Sequence, residues 1–118
     1  MIKLNQLVRS LKYALRGFKF VWQEQSFKIQ ILIALIVVIL MYLYNLTRLE
    51  RVALIIVIFA VLILESLNTI FEHLADILKP RLHDYIMIIK DIMAAVVLMA
   101  SIGTVIIGLL IFWPYFFG

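Results

Sequence analysis

The sequence has no cysteine in its 118 residues, which removes disulfide frameworks, thiolate metal sites and cysteine nucleophiles. Charge is also scarce. Asp, Glu, Lys and Arg make up 15% of the chain and hydrophobic residues 66%, whereas a soluble globular domain is about 45–50% apolar. A soluble protein this short would leave much of that surface in water, because small domains bury only about 60–70% of what the unfolded chain exposes. A lipid solvent removes the conflict. Nor is there a recognisable secretory signal: Met1-Ile-Lys-Leu-Asn5 lacks the charged start, apolar core and small-residue cleavage site of one, so a mature N-terminus is expected. The net charge of +4 does not point to nucleic acid. The basic residues are not interleaved with aromatics on a soluble surface, and orientation in a membrane explains them better.

Three apolar runs stand out. Ile29 to Leu46 carries no charge and approaches the ~20 residues needed to cross a hydrocarbon core. Thr47-Arg-Leu-Glu50 is a short charged break. The run from Val52 to Leu64 is too short alone but reaches span length if the helix continues through Glu65, Asn68 and Glu72 to Ala75. The third run, residues 92–112, contains Ser101, Gly103, Thr104 and Gly108, small residues that suit helix packing. Between the second and third, Asp76 to Asp91 holds Lys79, Pro80, Arg81, His83 and Asp84. Pro80 should interrupt a helix there, and the stretch reads as a loop at the membrane surface. Only helices or closed barrels satisfy the backbone in lipid, and these runs are too continuous for a barrel. The expected fold is an all-α integral membrane domain with spans at 29–46, 52–75 and 92–112.

Residues 1–27 have a different pattern. At about 100° per residue, Leu4, Leu7, Leu11, Leu15, Phe18 and Trp22 share one face, and Arg9, Lys12, Arg16 and Lys19 lie opposite. A basic amphipathic helix of this kind rests in the interface, apolar side down. A surface helix covering the bundle is compatible with the same pattern. Lys and Arg number six in residues 1–28, two in the first loop, three in the second and none at the C-terminus. Three spans put nine of them on one side, which the positive-inside rule makes cytoplasmic. The expected protein is multi-pass in the cell (inner) membrane, with its C-terminus outside.

Glu65, Asn68, Glu72 and Asp76 follow one another at helical offsets that keep all four within about an 80° arc. An ionisable group in a span costs ~2.5–3.5 kcal/mol even on the lenient insertion scale, so two carboxylates there call for a function. Asp76 by itself reads equally well as a helix-end residue. Carboxylates on one face can hold a divalent metal, and magnesium typically takes one or two together with substrate phosphates. Phosphoryl transfer also needs cations against the phosphates, and Lys90, beside Asp91, is a candidate. No Walker motif, Gly-rich nucleotide loop or His-Arg-Asp catalytic loop is present, so any kinase here is of another kind.

Glu65-Ser-Leu-Asn-Thr-Ile-Phe-Glu72, followed by Asp76, His83 and Lys90-Asp91, resembles the signature of the prokaryotic diacylglycerol kinase family, which includes undecaprenol kinases. Upstream, Ser10-Leu-Lys-Tyr-Ala-Leu-Arg-Gly17 and Glu24-Gln-Ser-Phe-Lys-Ile-Gln30 resemble the family's amphipathic helix and the acidic start of its first span. The resemblance covers nearly the whole chain. It implies a homotrimer with active sites shared between neighbouring subunits at the cytoplasmic boundary, where ATP with Mg2+ meets a lipid hydroxyl. By position, Glu24 and Glu72 would bind the metal, Glu65 would be the base and Asn68 would support it. Lys90 and Asp91 would contact the nucleotide, with Tyr13, His83 and Arg9 as further carry-overs to nucleotide or phosphate. For those last three, a plain surface-helix role is an equal reading. His73 has no counterpart role.

Ser26, Lys28 and Gln30 depart from the family's usual pattern at the start of the first span, as do Ile89 and the bulky Ile92-Met93. They support an alternative, a non-catalytic assembly or regulatory subunit that keeps the fold. A proton or cation carrier is a third reading, opposed by the lack of inverted repeats and by the clustering of acids near one interface. The Glu24–Gln30 stretch looks nearer the Gram-positive branch, where undecaprenol is the usual acceptor. Diacylglycerol is the other expected acceptor.

Overall fold

Residues 3–118 are described by a computed structural model, and they are helical almost throughout. Helix α1 runs Leu4–Trp22, α2 Gln25–Leu43 and α3 Arg48–Phe117. The breaks between them are short. Gln23 and Glu24 close α1 with backbone bonds to Phe20 and Val21 and turn the chain straight into α2. Beyond Gln30, helix α2 is apolar all round, as expected of a helix surrounded by lipid or by other helices, and its 19 residues span roughly 28 Å at 1.5 Å per residue. It begins at Gln25 rather than Ile29 and stops at Leu43, where Tyr44 turns extended.

Thr47 then restarts the helix by reciprocal capping. Its hydroxyl accepts from the Glu50 N–H at 3.2 Å, and the Glu50 carboxylate accepts from the Thr47 N–H at 2.9 Å. The charged break read as an interruption is thus a strong helix start.

Helix α3 has 70 residues, which as a straight rod would measure roughly 105 Å. The molecule's longest dimension is 56 Å, so α3 doubles back. Two contacts define the hairpin: Lys90 meets Asp76 at 3.3 Å, and Tyr115 donates to Glu50 at 2.7 Å. Both pairs are centred on the stretch around Arg81–His83, just after Pro80. Pro80 has no N–H for the Asp76 carbonyl, and its ring crowds that carbonyl, which kinks the helix. Asp76 to Asp91, expected as a loop, therefore keeps helical hydrogen bonding through a sharp bend. The sequence reason is that Pro80 is the only breaker in the segment, with no glycine beside it.

Three stretches are long and apolar enough to cross a membrane: Gln25–Leu43, Arg48–Arg81 and His83–Phe117. The second and third extend beyond the 52–75 and 92–112 read from hydropathy. Burial within the chain is thin. The largest buried cluster, Met41, Leu46, Leu54 and Phe112, closes the distal end, where the Tyr44–Thr47 turn meets the C-terminus. Val37, Leu40, Tyr44, Ile111 and Tyr115 pack against it. Along the spans, Ser66, Thr69, Ser101 and Thr104 each donate to the carbonyl four residues back, which satisfies their hydroxyls without a partner helix. Many large apolar residues face outward, as hydrocarbon surroundings permit.

Candidate active site

Toward the proximal end, near the α3 bend, the two arms of the hairpin part to leave an open cleft of about 470 Å³. Asn68, Glu72 and Asp76 line one wall; Lys90, Met93, Val97 and Ser101 line the other. The helical offsets align the first three, and the antiparallel return of the chain brings Lys90 opposite them.

Within the cleft, the Asn68 amide donates to Glu72 Oε1 at 3.1 Å, an i, i+4 contact along one face. One Glu72 oxygen is thereby fixed and the carboxylate is aimed. Lys90 Nζ lies 3.3 Å from Asp76 Oδ1, with the two side chains 40% and 66% exposed. An ion pair so accessible to solvent is worth at most about 1 kcal/mol, so Lys90 can exchange Asp76 for an incoming phosphate at little cost.

Glu65 lies deeper, two turns back along α3, and is only 8% exposed. Its backbone carbonyl accepts from the Thr69 hydroxyl at 3.1 Å. Glu72 and Glu24 both lie close enough for their charges to act on it. Glu24 comes from the α1–α2 elbow. It occupies the N-cap of α2 but its side chain makes no capping bond, which leaves the carboxylate available to a ligand.

The chain thus brings Asn68, Glu72, Asp76 and Lys90 together in the cleft, while Glu65 and Glu24 lie outside its lining. Asp91, next to Lys90, is exposed and outside the cleft lining, and His83 is exposed in the bend. Tyr13 and Arg9 stay on α1. The Tyr13 ring lies under the Arg16 guanidinium at 5.6 Å, and Arg9 shares a shallow dip with Asn5, Val8 and Lys12. None of these four reaches the cleft within one chain. The sequence reading missed the Lys90–Asp76 pair, which forms only because α3 turns back between the two residues.

Among the described residues no three His, Asp or Glu side chains converge into a metal cage. The donors nevertheless fit magnesium. Glu72 retains an oxygen not held by Asn68, Glu24 is not engaged in capping, and both are hard carboxylates of the number magnesium takes when phosphates supply the rest.

The chain is 32% identical over 116 residues to the undecaprenol kinase of Bacillus subtilis (strain 168), covering 95% of this chain and 92% of the relative. It is 27% identical over 113 residues to the diacylglycerol kinase of Escherichia coli (strain K12), covering 95% and 93%. The family model described as prokaryotic diacylglycerol kinase matches residues 12–112, and on that match the chain belongs to the prokaryotic diacylglycerol kinase family.

Proposed function

We propose that this protein transfers the γ-phosphoryl group of ATP to the hydroxyl of a membrane lipid, giving undecaprenyl phosphate from undecaprenol or phosphatidic acid from diacylglycerol. Family membership supports a lipid kinase, and one structural observation carries the reading furthest. A buried carboxylate, Glu65, lies within the second span-length apolar stretch, about one and two helical turns before Asn68 and Glu72, which line an open cleft together with Lys90. A lipid hydroxyl reaches Glu65 from the bilayer, and a nucleotide reaches the cleft from water.

In this reading Glu65 takes the hydroxyl proton as the lipid oxygen bonds to the γ-phosphorus. The bond from that phosphorus to the β–γ bridging oxygen breaks, and ADP leaves. Glu24 and Glu72 would hold Mg2+, which neutralises phosphate charge when bound. Asn68 fixes the Glu72 carboxylate by the 3.1 Å bond, and Lys90 leaves Asp76 to contact the phosphates. There is little covalent work for the protein in phosphoryl transfer, so positioning and charge neutralisation supply most of the rate. Asp91, and by the same reasoning His83, Tyr13 and Arg9, would reach a nucleotide only from a neighbouring subunit, consistent with a homotrimer that shares its sites. The cytoplasm supplies ATP, so the cleft and the N-terminus belong on that side of the inner membrane and the C-terminus outside.

The test is magnesium-dependent transfer of labelled γ-phosphate to undecaprenol and, in parallel, diacylglycerol, by purified protein in mixed micelles. Labelling of either lipid supports the reading, and the relative rates identify the acceptor. Folded protein that labels neither would refute it.

A further inference from the structure

Four hydroxyl side chains along the two arms of α3 each donate to the carbonyl four residues back: Ser66, Thr69, Ser101 and Thr104. Their surroundings differ. Thr69 is buried, Ser66 borders an apolar groove with Trp22 and Phe27, and Thr104 borders a narrow gap opposite Gln30 of α2. Of the four, Ser101 alone lines the cleft that holds Asn68, Glu72, Asp76 and Lys90. Close helix packing explains a small residue at a helix contact, not one whose side chain borders an open cleft.

The register of the hairpin fixes the depth of Ser101. Asp76 meets Lys90 near the bend and Glu50 meets Tyr115 at the far end, so each step back along the first arm matches a step forward along the second. Glu65 lies 11 residues before Asp76, and Ser101 lies 11 residues after Lys90. Both therefore stand at one level, roughly 16 Å along the arms from the ion pair. From Lys90 down to that level the second wall is Met93, Ala94, Val97 and Leu98, apolar throughout. On the first wall the Asn68 amide is given to Glu72 at 3.1 Å. Ser101 is thus the deepest hydrogen-bond donor on the lining. Its proton rests on the Val97 carbonyl at 2.9 Å, and turning it to another carbonyl exchanges one hydrogen bond for an equivalent one.

We infer that Ser101 recognises the ester carbonyl beside the acceptor hydroxyl of a glycerolipid, and so sets how well the chain takes diacylglycerol. The inference rests on the kinase reading. In 1,2-diacylglycerol the carbon next to the hydroxyl-bearing carbon carries an ester, so a hydroxyl held at the level of Glu65 brings an ester carbonyl against the deep wall of the cleft. Away from water that carbonyl weakens binding unless a donor meets it, and Ser101 is the donor at that level. A polyprenol has one polar group, its hydroxyl, and offers Ser101 no carbonyl. The same side chain therefore matters for one acceptor and is silent for the other.

The experiment uses the full chain in mixed micelles at saturating ATP and Mg2+, varying three acceptors in turn: 1,2-diacylglycerol, the matching 1,2-dialkylglycerol, whose ether oxygens replace the esters, and undecaprenol. Ser101→Ala should raise the KM for diacylglycerol about three- to tenfold, with kcat and the KM for ATP and for undecaprenol unchanged. Wild-type protein should show a similar rise for dialkylglycerol over diacylglycerol. Ser101→Ala should add nothing to that rise, because both changes remove one contact. Ser101→Thr keeps the hydroxyl and should retain the wild-type KM for diacylglycerol. An unchanged diacylglycerol KM in Ser101→Ala, equal losses with diacylglycerol and undecaprenol, or additive losses with dialkylglycerol would overturn the inference. Labelling of undecaprenol alone by wild-type protein would also overturn it, with the kinase reading intact. Wild-type protein that labels none of the three lipids would overturn the kinase reading and the role of Ser101 with it.

Discussion

Glu65 is 8% exposed within a stretch long and apolar enough to cross a membrane, where an ionisable group costs about 2.5–3.5 kcal/mol. Such a group is kept for what it does, which is why the sequence already marked Glu65 and Glu72. The supporting residue was less legible. Asn68 was read as support for Glu65, whereas in the structure its amide donates to Glu72 Oε1. Outer-shell partners of metal-binding carboxylates typically contribute 10–100-fold in metal affinity or activity. Asn68→Ala should therefore raise the Mg2+ concentration for half-maximal rate by about tenfold with little change in thermal stability. An unchanged magnesium dependence would remove Asn68 from the site. Lys90 and Asp76 were read separately, one as a phosphate contact and one as a helix-end acid. Their pairing depends on how sharply α3 turns back, a long-range property that no local spacing encodes.

The elements were legible to different degrees. Long apolar runs fix the spans because lipid permits little else, and the amphipathic period of Leu4–Trp22 gave α1. Pro80 misled, since a proline in a charged segment reads as a loop, whereas here it kinks a helix that carries on. The distal closure was not legible either: Glu50 and Tyr115 lie 65 positions apart, and their 2.7 Å hydrogen bond follows only from the hairpin. Glu50 Oε1 accepts from both the Thr47 N–H and Tyr115, so one oxygen joins the start of α3 to its end. Removing the cap hydroxyl with Thr47→Ala should cost about 1 kcal/mol, read as a lower midpoint in thermal unfolding with Mg2+ activation unaffected. A loss of activity without loss of stability would mean that the distal end communicates with the cleft.

At the scale of the whole molecule, thin burial and extensive apolar exposure fit a chain whose solvent is lipid. Lys90 faces the cleft while Asp91, the next residue, does not. If Asp91 serves a neighbour's site, an inactive Glu65→Gln subunit mixed with an inactive Asp91→Asn subunit should regain part of the wild-type rate, because some mixed sites are intact. Mixtures as inactive as their components would place every functional group of a site in one chain. The most direct measurement compares wild-type protein with Glu65→Gln in labelled γ-phosphate transfer and in ATP binding. A base of this kind contributes about 10²–10⁴-fold. The rate should fall by at least about 100-fold while ATP still binds; a Glu65→Gln protein that transfers phosphate at the wild-type rate would contradict the role of Glu65 as the base on which the proposed chemistry turns.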